Sequence, residues 1–134
     1  MTEKTFEELE KEKIKENKKY LDIFENEMRK EKLSEKTIKK HLSNIDIYIN
    51  GYLLFRDILN MEDGVNLTFG FFENFFPNKC IFSTENRCRE MMTSLIKFYK
   101  VMLDYGYVDK TDYEIMVDEI KVSKKDWVEK CKLD

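Results

Sequence analysis

Between Ser83 and Tyr105 the chain reads STENRCREMMTSLIKFYKVMLDY, and this stretch constrains the fold more than any other. Cys88, Met91, Met92, Leu95, Phe98, Tyr99 and Met102 recur at spacings of three and four, which sets them on one stripe of an α-helix. Asn86, Arg89, Thr93, Lys97 and Lys100 fall on the opposite side. Ser83 or Thr84 can cap the start by accepting a hydrogen bond from an early backbone N–H. Gly106 follows the end, where a left-handed residue commonly closes a helix. The pattern predicts a central helix with one buried face and a mildly basic outer face.

The remaining residues supply little else than helices. Proline occurs once and glycine four times in 134 residues, too few for the turns of a many-stranded fold. With 42% apolar residues, ten Phe and seven Tyr, a chain of this length can bury a core. The fold class expected is all-α, a compact bundle of four to six helices. Three parts are expected: a charged helical extension over 1–19, a helical core over 20–122, and a C-terminal helix over 123–134.

Residues 2–32 are dominated by Glu and Lys at helical spacing. Phe6, Leu9 and Ile14 are sparse there, whereas Tyr20, Leu21, Phe24 and Met28 make a firmer stripe. The segment reads as one helix, or as two with a bend near Asn17. Ser34 is a good N-cap for a helix running from about Glu35 to Phe55, with Ile38, Leu42, Ile45, Ile49, Tyr52 and Leu53 on its apolar side. Residues 60–67 read as a loop with a turn at Asp63-Gly64. A short helix after Thr68, built on Phe69, Phe72, Phe75 and Phe76, is expected to stop at Pro77. Asn78 to Phe82 then connects to the central helix. Asp109 or Thr111 caps a helix carrying Tyr113, Met116, Val117 and Ile120. Ser123 is expected to start a last one, SKKDWVEKCK, with Asp126 completing a capping box.

Signals for catalysis are missing, so no catalytic residue, metal ligand or cofactor is assigned. A single histidine, His41, lies on the flank of an apolar stripe and reads as a core residue. Cys80, Cys88 and Cys131 lack CxxC spacing and cannot complete a zinc set with one histidine. The phosphate-cradling glycine patterns are absent. An odd number of cysteines and a charged start without an apolar signal segment suggest reduced thiols in a cytoplasmic protein. No apolar run approaches the roughly 20 residues that span a bilayer.

The net charge of −3 means that any nucleic-acid surface has to be assembled by folding. Two basic groups stand out, each near the start of a long helix. Lys36, Thr37, Lys39 and Lys40 form one; Arg87, Arg89, Thr93 and Lys97 form the other. Lysine and arginine on a helix side can neutralise phosphates, and small hydroxyl side chains can add backbone contacts.

The order of these elements resembles the N-terminal core-binding domain of the tyrosine recombinase/phage integrase family, a SAM-like helical domain. The points of likeness are Phe24, Leu33-Ser34, Thr37-Ile38, Ile45 and Tyr48, then the short helix over 67–76, and then Leu95, Phe98 and Tyr99 before the turn DYGYV. His41 stands at a usual Tyr position. The resemblance implies a non-catalytic DNA-binding module that clamps one side of duplex DNA with its two long helices, through Lys36, Thr37, Lys39, Lys40, Arg87, Arg89, Thr93 and Lys97. It departs from the family at Ile96, where Arg is frequent, and at Glu90 and Met91, where basic residues are. The family's catalytic Arg, His-x-x-Arg and nucleophilic Tyr have no counterparts here. The alternative expectation is a protein–protein interaction or self-association module on the same fold, favoured by the acidic balance and the charged first helix.

Overall fold

The structure is a computed structural model and describes residues 3–79 and 84–131. These are all-helical, with six α-helices, as the periodicity predicts. The chain separates into two compact units, Met1–Gly64 and Val65–Asp134.

The first unit is a helical hairpin. α1 spans Phe6–Lys30, with the Thr5 hydroxyl accepting from the Glu8 N–H at 3.1 Å. It is one helix, without the bend considered at Asn17, and it continues through the expected boundary at residue 19. α2 spans Glu35–Asp46 and is capped by Ser34, whose hydroxyl accepts from the Thr37 N–H. Between them, Leu33 N–H bonds back to Met28 and Lys32 N–H to Arg29, a Schellman closure with Lys32 at φ 62°. The two helices run antiparallel. Arg29 near the end of α1 bridges Glu25 and Glu35, Phe24 faces His41, and Asn17 reaches Ile49 and Asn50. Tyr20, Phe24 and Met28 bury against Ile38, Ile45, Tyr48 and Ile49.

Two departures from the expected pattern occur here. The helix expected over 35–55 widens into a π-helix over Ile47–Tyr52, where Leu53 N–H bonds to the carbonyl five residues back at Tyr48. Asn17, 1% exposed, supports that wide stretch by donating to the Ile49 carbonyl (3.4 Å) and to Asn50 (2.8 Å). The loop expected at 60–67 is a 3-10 helix over Met61–Asn66. Met61 and Val65, four apart, are both buried, and Tyr48 Oη donates to the Gly64 carbonyl at 2.7 Å. Burying two apolar side chains outweighs the local turn preference of Asp63-Gly64.

In the second unit a helical run holds α3 (Thr68–Gly70), a π-helix (Phe71–Phe75) and α4 (Phe76–Lys79). The run does not stop at Pro77. Phe76 N–H bonds to Phe71, five back, and this wide turn lies where a proline ring would strike the carbonyl four residues earlier. The same wide turn changes the buried face. Phe71, Phe72 and Phe76 are in the core, while Phe69 is 55% exposed, against the α-helical expectation. α5 spans Glu85–Asp104 and is capped by Thr84, whose hydroxyl accepts from Arg87 N–H. All seven residues of its expected stripe are buried. Ser83, the other candidate cap, and Cys80 and the end of the 78–82 connector lie outside the described residues. α5 ends in a second Schellman closure, Tyr107 N–H to Met102 and Gly106 N–H to Leu103, with Gly106 at φ 82°.

α6 spans Lys110–Lys130, capped by Asp109, whose carboxylate accepts from Thr111 N–H at 2.7 Å. The helix expected to start at Ser123 therefore does not exist as a separate element, and Asp126 is an exposed mid-helix residue rather than part of a capping box. Met116, Ile120, Trp127 and Cys131 are buried at spacings of four, seven and four. That stripe runs unbroken through Ser123, so tertiary packing overrides the local cap signal. Trp127 anchors it: the indole stacks on Phe72 at 4.9 Å, meets Phe69 edge-on, and donates from Nε1 to Glu73 at 2.5 Å.

A basic groove between α5 and α6

α5 and α6 pack against each other antiparallel, since Cys88 near the start of α5 meets Cys131 at the end of α6. Along this seam lies a groove of about 490 Å³ lined by Glu85 and Arg89 of α5 and by Lys121, Lys124, Lys125, Val128 and Glu129 of α6. Its geometry follows from helix periodicity. Lys121, Lys124, Lys125 and Val128 stand at i, i+3, i+4 and i+7, on one side of α6, and Glu85 and Arg89 at i, i+4 on α5. Val128, 5% exposed, forms the floor and the lysines are exposed above it.

Four cations thus face two carboxylates. Arg89 is held by Glu85 at 3.6 Å. Lys121, Lys124 and Lys125 have no carboxylate within 4 Å among the described residues, in contrast to Lys18, Lys100 and Lys110, each paired with an acid one turn away. A helix side whose positive charges outnumber the carboxylates beside them keeps a net positive potential available to an external anion.

The residues expected from the sequence are divided between the two units. Lys36, Thr37, Lys39 and Lys40 share α2 in the first. Lys36 and Lys39 are exposed, and Thr37 is tied to the cap, its Oγ1 accepting from Ser34 Oγ at 3.0 Å. Arg87, Arg89, Thr93 and Lys97 share α5 in the second. Arg87 lies 3.9 Å from Glu90, and Thr93 Oγ1 donates to the Arg89 carbonyl at 3.1 Å. Of the eight, Arg89 alone lines the groove. Sequence reasoning missed Lys121, Lys124 and Lys125. The signal was their i, i+3, i+4 spacing, which joins one face only when α6 is continuous across Ser123.

The thiols of Cys88 and Cys131 are free, buried and near each other. Burial pushes Cys88 up to about 12, and the neighbouring Cys131 adds to this. Burial also raises Cys131. Both are structural thiols packed as small hydrophobes. His41 is 5% exposed in the first unit. Among the described residues no group of three or more His, Cys, Asp or Glu is placed to hold a metal ion, and no helix is long and apolar enough to cross a membrane.

Comparison with protein-family models, with curated proteins and with solved structures returns no match in any of the three.

Proposed function

We propose that this chain is a non-catalytic module that binds duplex DNA through its phosphate backbone, working in the cytoplasm as a recombinase-like arm. The observation that carries the reading is the α5/α6 groove, where Lys121, Lys124 and Lys125 stand on one helix side and outnumber the groove's carboxylates, with none of these within 4 Å of the three among the described residues. Helix-borne lysines of this kind contact phosphates and fix position on a duplex without reading its bases. Exposed Lys36 and Lys39 on α2 offer a second patch of the same character. Support for the recombinase-arm form comes from the likeness in element order, from the Ser34-capped start of α2, and from buried Leu95, Phe98 and Tyr99 on α5.

The test is fluorescence anisotropy with a random-sequence duplex at two salt concentrations. Three phosphate contacts give a slope of about −2.7 in log K against log salt, so affinity falls roughly 40-fold between about 50 and about 200 mM. Lys121→Glu/Lys124→Glu/Lys125→Glu abolishes binding, and Lys36→Glu/Lys39→Glu weakens it. Absence of binding at low salt, or binding indifferent to the groove lysines, overturns the reading.

A further inference from the structure

DNA binding through lysines gives no role to the two cysteines on the α5/α6 seam. Cys88 stands in the first turn of α5 and is 1% exposed; Cys131 is the C-cap of α6 and is 5% exposed. The groove shows how they come together. Glu85 and Arg89 flank Cys88 on α5, and Val128 and Glu129 lie within one turn before Cys131 on α6. These four side chains line one groove, so the two cysteines sit at the same level of the seam, each on the buried side of its helix. The charge of Glu85 on α5 also acts on Cys131 of α6.

Two cysteines on facing helix sides at one level meet the first requirement of a disulfide, which needs close backbones and side chains that point at each other. They are 43 residues apart in sequence, so a bond between them would close a long loop and constrain the unfolded chain strongly. Cys131 also lies where an oxidant can enter. It caps the end of α6, its N–H bonded back to Val128 at 3.1 Å, and the last turn of a helix opens more readily than the middle.

We propose that Cys88 and Cys131 form a reversible internal disulfide by exchange with a low-molecular-weight disulfide such as oxidised glutathione, pinning the end of α6 to the start of α5. When the last turn of α6 opens, Cys131 Sγ gives up its proton and attacks one sulfur of the external disulfide. The other half leaves as a thiolate and takes up that proton. Cys88 Sγ then loses its proton and attacks Cys131 Sγ, and the second half leaves as a thiol. Two thiols of the chain are oxidised and one external disulfide is reduced to two thiols, so electrons and protons balance. Burial keeps both thiols protonated near neutral pH, which makes the exchange slow.

The test is overnight equilibration of the folded full chain in glutathione buffers of stepped ratio, followed by acid quenching and mass spectrometry. As the share of oxidised glutathione rises, the chain becomes lighter by two hydrogens, and digestion yields a peptide pair joined through Cys88 and Cys131. Cys80→Ser leaves this unchanged. Cys88→Ala gives a glutathione adduct on Cys131 instead, because no second thiol resolves it. Trp127, the single tryptophan, reports on α6 by fluorescence. In the Cys80→Ser chain the urea midpoint of the oxidised form lies about 1 M or more above that of the reduced form, and dithiothreitol reverses the shift. A folded chain that stays a dithiol in the most oxidising buffer overturns the proposal. So does a link that runs through Cys80, or an oxidised form that unfolds at lower urea than the reduced one. None of these outcomes depends on whether the groove binds DNA.

Discussion

Replacement of Trp127 is expected to be the most damaging single change in α6, and its cost can be worked from its surroundings. The side chain is 1% exposed, lies flat on Phe72 at 4.9 Å with 15° between the planes, and donates to Glu73 at 2.5 Å. Truncation of a buried Trp to Ala costs about 3–5 kcal/mol through lost burial and the cavity left behind. Against a total stability of about 5–15 kcal/mol for a small domain, that is a large share. Trp127→Phe keeps a ring over Phe72 but loses the donor to a carboxylate, a bond worth about 1.5–3 kcal/mol. Glu73 is not left stranded, because Lys130 stays 3.5 Å away, so the cost of the Phe variant falls at the lower end of that range. The assay is urea denaturation followed by circular dichroism, with the free energies of the two variants compared to wild type. DNA anisotropy on the same samples asks whether the groove follows the anchor, since Trp127 and the three lysines ride on one helix. A Trp127→Ala loss below about 1 kcal/mol refutes the account of α6 as a helix docked through its indole.

Two further outcomes follow from the caps and the thiols. Lys32 and Gly106 occupy equivalent left-handed closing positions, so Lys32→Gly should stabilise and Gly106→Ala destabilise, each by about 1 kcal/mol in thermal or urea melts. Cys88 and Cys131 should resist iodoacetamide in the native chain at pH 8 and react freely in urea, as mass spectrometry can count. Because the folded thiol of Cys88 titrates at about 12, above its unfolded value, its contribution to stability is full below about pH 9. That contribution is lost as pH rises towards 12.

Where packing and local preference agree, the sequence could be read directly. The α5 stripe, the Thr84 and Ser34 caps and the left-handed Gly106 all follow from residue type and spacing. Where they compete, the local signal misled. Ser123 looks like a cap, yet Ile120 and Trp127 bury on one continuous helix around it, and that error split the groove lysines between two imagined elements. The π-helical stretches over 47–52 and 71–75 were not legible, because a hydrogen bond to the fifth residue back leaves no mark on composition. The misplacement of Phe69 follows from that. The interleaved charges of the chain likewise hid which lysines are paired: Lys125 has Glu129 one turn away, as Lys110 has Glu114, yet only the second pair closes to within 4 Å among the described residues, a property of side-chain geometry.

A π turn is an α turn holding one residue more than it needs. Two such turns give this chain slack in its length: a residue lost between 47 and 52, or between 71 and 75, can be absorbed by tightening the wide turn to an α turn. α6 has no such slack. A single insertion between Lys121 and Trp127 would swing the lysines through about 100° relative to the indole. Either wide turn can thus give up a residue, while the span from Met116 to Cys131 must keep its count.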